Sequence, residues 1–170
     1  MIQTLLALAV FAQAPSALPD STRQALYERR LSQAVDSLGV MRGAVTAFPI
    51  DLERASPDLV LVRAARVRAS CGGANAALEQ VATLLAAGVY SRRARTEQVK
   101  LQSGTATLRR TLERCQREWA SPDPPTRAGA DSLKAWGPYR GSKLDEAVRN
   151  YLSLVREFMK RAALKKPAAS

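Results

Sequence analysis

Apolar residues return at alternating spacings of four and three in four separate segments of this chain. That repeat leaves little room for anything but packed helices. Tyr27, Leu31, Ala34, Leu38, Met41, Val45 and Phe48 form the first series. Val60, Ala64, Val67, Cys71, Ala74, Leu78, Val81 and Leu85 form the second. Leu101, Thr105, Leu108, Leu112, Cys115 and Trp119 form the third, and Leu144, Val148, Tyr151, Val155, Phe158 and Ala162 the fourth. Aromatic residues are only 5% of the chain, and alanine and leucine supply most of its apolar mass, which favours helix over sheet.

Start and stop signals bracket the segments. Asp20 or Ser21 can cap the first and Pro49 ends it. Ser56-Pro57-Asp58 opens the second with a capping serine, a proline at the first helical position and an acid, and Gly88 suits its end. Ser142 and Asp145 resemble a capping box for the fourth. Heptad-like seams pack at shallow angles, so the expected fold is all-α: an antiparallel up-down-up-down four-helix bundle, single-domain over residues 18–164. A lone coiled coil is the alternative, and the short connections between four distinct segments argue against it.

The connection before the fourth segment is long. Ser121-Pro122-Asp123-Pro124-Pro125 cannot be helical. Ala130, Leu133 and Trp136 fit one side of a short extra helix before the last helix, which Trp136-Gly137-Pro138-Tyr139 would end. Such a piece would cap one end of the bundle; a lid over a pocket is the functional version. Residues 165–170, with Lys165 and Lys166, read as a disordered basic tail.

Residues 1–17 read as a signal peptide. Leu5 to Ala12 is an apolar run too short to span a bilayer, and Ala12-Gln13-Ala14 offers a cleavage site, with cleavage near 14–17. No later stretch has the roughly 20 apolar residues of a membrane helix. The expected localisation is therefore exported, periplasmic or secreted.

In an oxidising compartment, two cysteines on core seams suggest a disulfide. For Cys71 and Cys115 to lie opposite in an antiparallel hairpin, its turn must centre near residue 93. A third helix starting at Ser91 would leave the cysteines about 12 Å apart along the axis, beyond the ~7 Å Cα limit. A start at Thr96, with Glu97 in the first turn, reduces the offset to about 3 Å. It also keeps Arg92, Arg93 and Arg95 off the positive end of the helix dipole. A Cys71–Cys115 bridge is the expectation. Two buried thiols are the alternative. Gly72 and Gly73, beside Cys71, would then let the helices close to bridging distance.

The chain has no histidine. Serine–histidine and cysteine–histidine catalytic pairs, imidazole zinc sites and histidine-held haem are thereby excluded. There is no C-x-x-C, GxxxxGK[ST], GxGxxG, GxSxG or S-x-x-K motif. The expectation is a non-enzyme with no metal or cofactor.

The formal charge is +11, which draws anionic partners. Arg63, Arg66 and Arg68 crowd the second helix, and in the hairpin register above Arg114 and Arg117 come level with them. These five form the candidate anion-binding patch; a solvated basic face, or an arginine-rich genome, is the plainer account. The expected function is binding of an anionic or apolar partner in the cell envelope: an anionic component (phospholipid, lipopolysaccharide or acidic polymer) or another envelope protein. A second reading is a small-ligand carrier using the bundle interior, with Gly72, Gly73, Ala74, Thr105 and Ala106 leaving a cavity. Nucleic acid needs only phosphate contacts, but no recognised motif is present and an export signal argues against it.

Overall fold

The computed structural model of the protein describes residues 20–120 and 126–164. The expected signal peptide (1–17), the proline-rich stretch 121–125 and the basic tail (165–170) lie outside them. Among the described residues all regular structure is helical: α1 (Asp20–Ala47), α2 (Pro57–Ala86), α3 (Arg95–Glu118) and α4 (Arg127–Ala162). The four helices pack against one another, with α1 and α4 closing the circuit. No described helix is long and apolar enough to cross a membrane.

The seams read from sequence form the core. Of the four series, every member is buried except Ala162, which is half-buried. Cross-helix contacts then set direction. The Tyr27 hydroxyl donates to the Leu84 carbonyl at 3.2 Å, joining the start of α1 to the end of α2. The Thr105 hydroxyl donates to the Leu101 carbonyl at 2.7 Å and lies 3.2 Å from the Tyr151 hydroxyl, which joins α3 to α4. Thr105 has only one proton to give, so Tyr151 is the donor in that pair. Burial pushes the Tyr151 hydroxyl up to about 12 and keeps it neutral. Arg42 Nε meets Asp145 Oδ1 at 2.5 Å between α1 and α4, while Tyr27 packs on Phe158 at the other end of the same pair. Each of these three helix pairs therefore runs antiparallel.

Cys71 and Cys115 are bridged, with Cα atoms 6.3 Å apart. Both ends of the α2–α3 hairpin are thus tied, because buried Gln98 closes the turn. Its Nε2 donates to the carbonyls of Leu85 at 3.2 Å and Gly88 at 2.6 Å, and its Oε1 accepts from Tyr90 N at 2.8 Å. One amide side chain thereby satisfies carbonyls that the end of α2 leaves open. The start of α3 differs from expectation. Ser91, extended and with its Oγ accepting from Ala94 N at 3.2 Å, caps a 3₁₀ turn over Arg92–Ala94, and α3 begins at Arg95 with Thr96 already inside it. A satisfied cap is worth about 1 kcal/mol, enough to offset exposed arginines near a helix start.

The short extra helix is not separate. α4 runs unbroken from Arg127 through Trp136-Gly137-Pro138-Tyr139 to Ala162. The expected capping box is helix interior: Ser142 Oγ donates back to the Tyr139 carbonyl, and Asp145 takes Arg42 and Arg149. Pro138 removes one amide donor, but the packing across it is continuous. Ala130, Leu133, Gly137, Gly141 and Leu144 are all buried and keep the same three-and-four spacing. A Cβ on Gly137 would stand 2.5 Å from Phe48 Cε1 and 3.3 Å from Trp119 Cη2; one on Gly141 would stand 3.0 Å from Val45 Cγ1. Lys134 Nζ also anchors this half to the Ala55 carbonyl at 2.9 Å. The extra turns do cover the bundle end, as an extension of α4. That helix closes on Ala163 in the left-handed conformation, with Leu164 N reaching back to the Met159 carbonyl.

The glycines beside Cys71 do not bring the helices together. A Cβ on Gly72 would make ordinary 3.8 Å contact with the Gln116 side chain, and one on Gly73 would meet nothing within 4 Å. The approach is set instead by the aligned seams of α2 and α3.

These contacts set the expected changes in stability. Urea denaturation will show Gly137→Ala costing about 1–3 kcal/mol through overpacking, although alanine is the better helix former. Gly73→Ala will instead stabilise by about 0.5–1 kcal/mol. Replacing both cysteines by serine removes a closure worth about 4 kcal/mol, and melting temperature will fall by about 10 °C. Alkylation of unreduced, unfolded protein will add no mass.

Candidate functional site

The five arginines singled out in the sequence do not share one surface. Arg63 Nη1 donates to the carbonyls of Phe48 (3.3 Å) and Ile50, so it closes the end of α1. Arg66 and Arg68 are exposed, but residues two apart on a helix diverge by about 200°. Arg68 falls on the flank of Gly72, Asn75 and Glu79, which face α3 through Gln116 and Arg109. Arg66 falls on the flank of Arg63 and Gln80, which face α1. Arg117 is exposed, one helical step past Gln116. Arg114 lines a groove against α4.

That groove lies between the end of α3 and the middle of α4 and holds about 390 Å³. Its wall on α3 is Thr111, Arg114 and Glu118; on α4 it is Trp136, Tyr139, Arg140 and Lys143. The unbroken α4 makes this possible. Trp136, Arg140 and Lys143 are spaced four and three apart, so they stand on one face.

An aromatic stack forms the floor. Phe48 meets Trp119 edge-on at 4.7 Å, and Trp119 meets Trp136 at 5.2 Å and 74°. The Arg140 guanidinium sits 5.3 Å over the Trp136 ring and pairs with Glu118. Trp136 holds that cation by its ring quadrupole while Glu118 orients it. Lys143 Nζ donates to Glu146 Oε2 at 3.1 Å, and this contact raises its pKa. Arg114 has no ion pair among the described residues. Three cations thus face two carboxylates around an aromatic surface, and Tyr139 is 67% exposed at its edge.

A second groove continues along the same helix seam and shares Thr111 with the first. It holds about 570 Å³ and is walled by Val99, Gly104, Leu108, Ala147, Tyr151 and Leu154, with Lys100, Ser103, Thr107 and Asn150 at its edges. Leu154 packs directly on Gly104 in its floor: a Cβ there would stand 2.5 Å from Leu154 Cδ1.

The small residues proposed to leave an interior cavity are dispersed. Gly73 and Ala106 are exposed, Gly72 is half-buried, and Thr105 is engaged by Leu101 and Tyr151. No three His, Cys, Asp or Glu side chains converge as a metal site among the described residues. No family model, curated protein or solved structure matches the chain.

Trp136, Tyr139, Arg140 and Lys143 were not picked out from the sequence as a group. The pattern was present in "WGPYRGSK", but reading Gly137-Pro138 as a helix end separated the aromatics from the cations. Both tryptophans of the chain belong to this cluster, so fluorescence reports on it directly. Iodide will quench the half-buried Trp136 roughly twofold more than caesium does, because the cations concentrate anions locally. Arg114→Gln combined with Lys143→Gln will remove that difference.

Proposed function

We propose that this chain is an exported, non-enzymatic binding protein of the cell envelope, periplasmic or secreted, that takes an anionic partner. The observation that carries this reading is the groove in which Arg114, without an ion pair among the described residues, joins Arg140 and Lys143 beside the Trp119–Trp136 stack. A cation already held on a ring face costs little further ordering when an anion arrives. The partners that suit it are phospholipid, lipopolysaccharide, acidic polymer or the acidic face of another envelope protein. The disulfide suits an oxidising compartment, and the apolar run from Leu5 to Ala12 suits an export signal. Arg66, Arg68 and Arg117 add to the general positive field and so to encounter rate.

Co-sedimentation with vesicles tests the reading. The protein will bind phosphatidylglycerol vesicles and not phosphatidylcholine vesicles, and added salt will weaken binding. Reversing charge at Arg114 and Lys143 together will weaken it about tenfold or more, and reversing Arg66 and Arg68 will weaken it less. Equal binding to both vesicle types, or no effect of the groove variants, would overturn the proposal.

A further inference from the structure

We infer that the α3–α4 seam binds a single-chain anionic amphiphile, with its headgroup at Arg114, Arg140 and Lys143 and its hydrocarbon chain laid toward Val99. This rests on the anionic-partner reading above and specifies the ligand for that site.

Three observations lead there. First, the cationic groove and the apolar groove are contiguous, because Thr111 lines both. Second, the chemistry divides along the axis. Arg114, Arg140 and Lys143 stand at one end beside the aromatic stack. The walls beyond Thr111 are chiefly Leu108, Ala147, Leu154, the ring of Tyr151 and finally Val99, which is 59% exposed, with Lys100 the single cation beside it. Third, α3 and α4 come close beneath the trench: Leu154 packs so tightly on Gly104 that a Cβ there would stand 2.5 Å from its Cδ1, which gives the seam a filled apolar floor on which a chain can lie.

From Thr111 to Val99 the trench follows α3 for about 18 Å, at 1.5 Å per residue, which is room for one extended chain of medium length. A free anion would use only the first groove, and a neutral hydrocarbon only the second. A molecule with a charged head and one apolar tail uses both. An uncharged or cationic head would stand unpaired beside Arg114. The polar groups along the trench, Lys100, Ser103, Thr107 and Asn150, are all exposed, so they stay hydrated when a chain lies on the floor.

Dodecyl phosphate, kept below its micelle concentration, is the probe, with calorimetry and tryptophan fluorescence as readouts. Inorganic phosphate and dodecyl maltoside supply head and tail alone. Dodecyl phosphate will bind about tenfold or more tightly than either, since each buried methylene adds to the affinity. Thr107→Phe places a ring in the trench from an exposed position and will reduce that affinity about tenfold. Adsorption to phosphatidylglycerol vesicles will remain. Ala147→Phe blocks the opposite wall and serves as the second variant, with helical content by circular dichroism confirming that each folds.

Equal binding of dodecyl phosphate and dodecyl maltoside would overturn the inference. So would wild-type affinity in both folded trench variants, and in either case retained vesicle binding leaves the broader reading intact. Loss of vesicle binding in the wild type would instead defeat that broader reading, while tight dodecyl phosphate binding in the same protein would leave the amphiphile site standing alone.

Discussion

Much of this structure depends on the seating of Gly137 against Phe48 and Trp119. The contact admits no side chain at residue 137. It binds the first half of α4 to the end of α1 and the end of α3 at once. Without it, Pro138 would be a natural place for the helix to stop, since it removes a donor and crowds the preceding turn. With it, apolar packing continues on both sides of the proline, and that gain outweighs one absent hydrogen bond. Everything on the α4 face of the groove inherits its position from this. Trp136 reaches Trp119, Arg140 reaches Glu118, and Lys143 comes level with Arg114.

The α2–α3 hairpin supplies the other wall by a different means. Cys71–Cys115 ties one end covalently and Gln98 ties the turn by three hydrogen bonds. A hairpin held at both ends cannot slide along its seam, so the offset between α2 and α3 is defined. Cys115 itself lines the groove. The staple therefore positions Arg114 and Glu118, the residues on either side of it along that helix. A structural bridge and a candidate binding surface share one turn of α3.

The four core seams and the bridge are legible in sequence, the seams from short-range periodicity and the bridge from hairpin register, whereas the extra helix expected before the fourth is part of α4. The spacing of Tyr27 to Phe48 or Val60 to Leu85 states a buried face without knowledge of the partner. The hairpin register followed from two positions, Cys71 and Cys115, even though the supporting choice of Thr96 as cap was displaced by Ser91. Glycine was the residue most often misread. Gly72 and Gly73 were credited with a close approach they do not make. Gly137 and Gly141 do make one, although Gly137 stands beside Pro138 in what the sequence marks as a helix end. The three-and-four spacing does run through them, from Ala130 and Leu133 to Leu144. Hydrophobicity alone does not reveal it, because a glycine contributes to a core by what it leaves vacant.

The candidate site was less legible for a related reason. Counting arginines by position groups Arg63, Arg66 and Arg68, yet two-residue steps place helical neighbours on opposite flanks. Arg63 is spent on the Phe48 and Ile50 carbonyls. Net charge is a sum over the whole surface, whereas recognition depends on which cations lack partners and what lies beneath them. Arg114 is itself exposed, but it borders a groove lined by Trp119 and Trp136. The Trp136 ring holds the Arg140 guanidinium over its face, so less ordering is needed there when an anion arrives. A modest excess of charge there can therefore do more than a larger excess spread over solvated helix faces, and the same surface offers the anion's hydrocarbon portion somewhere to go.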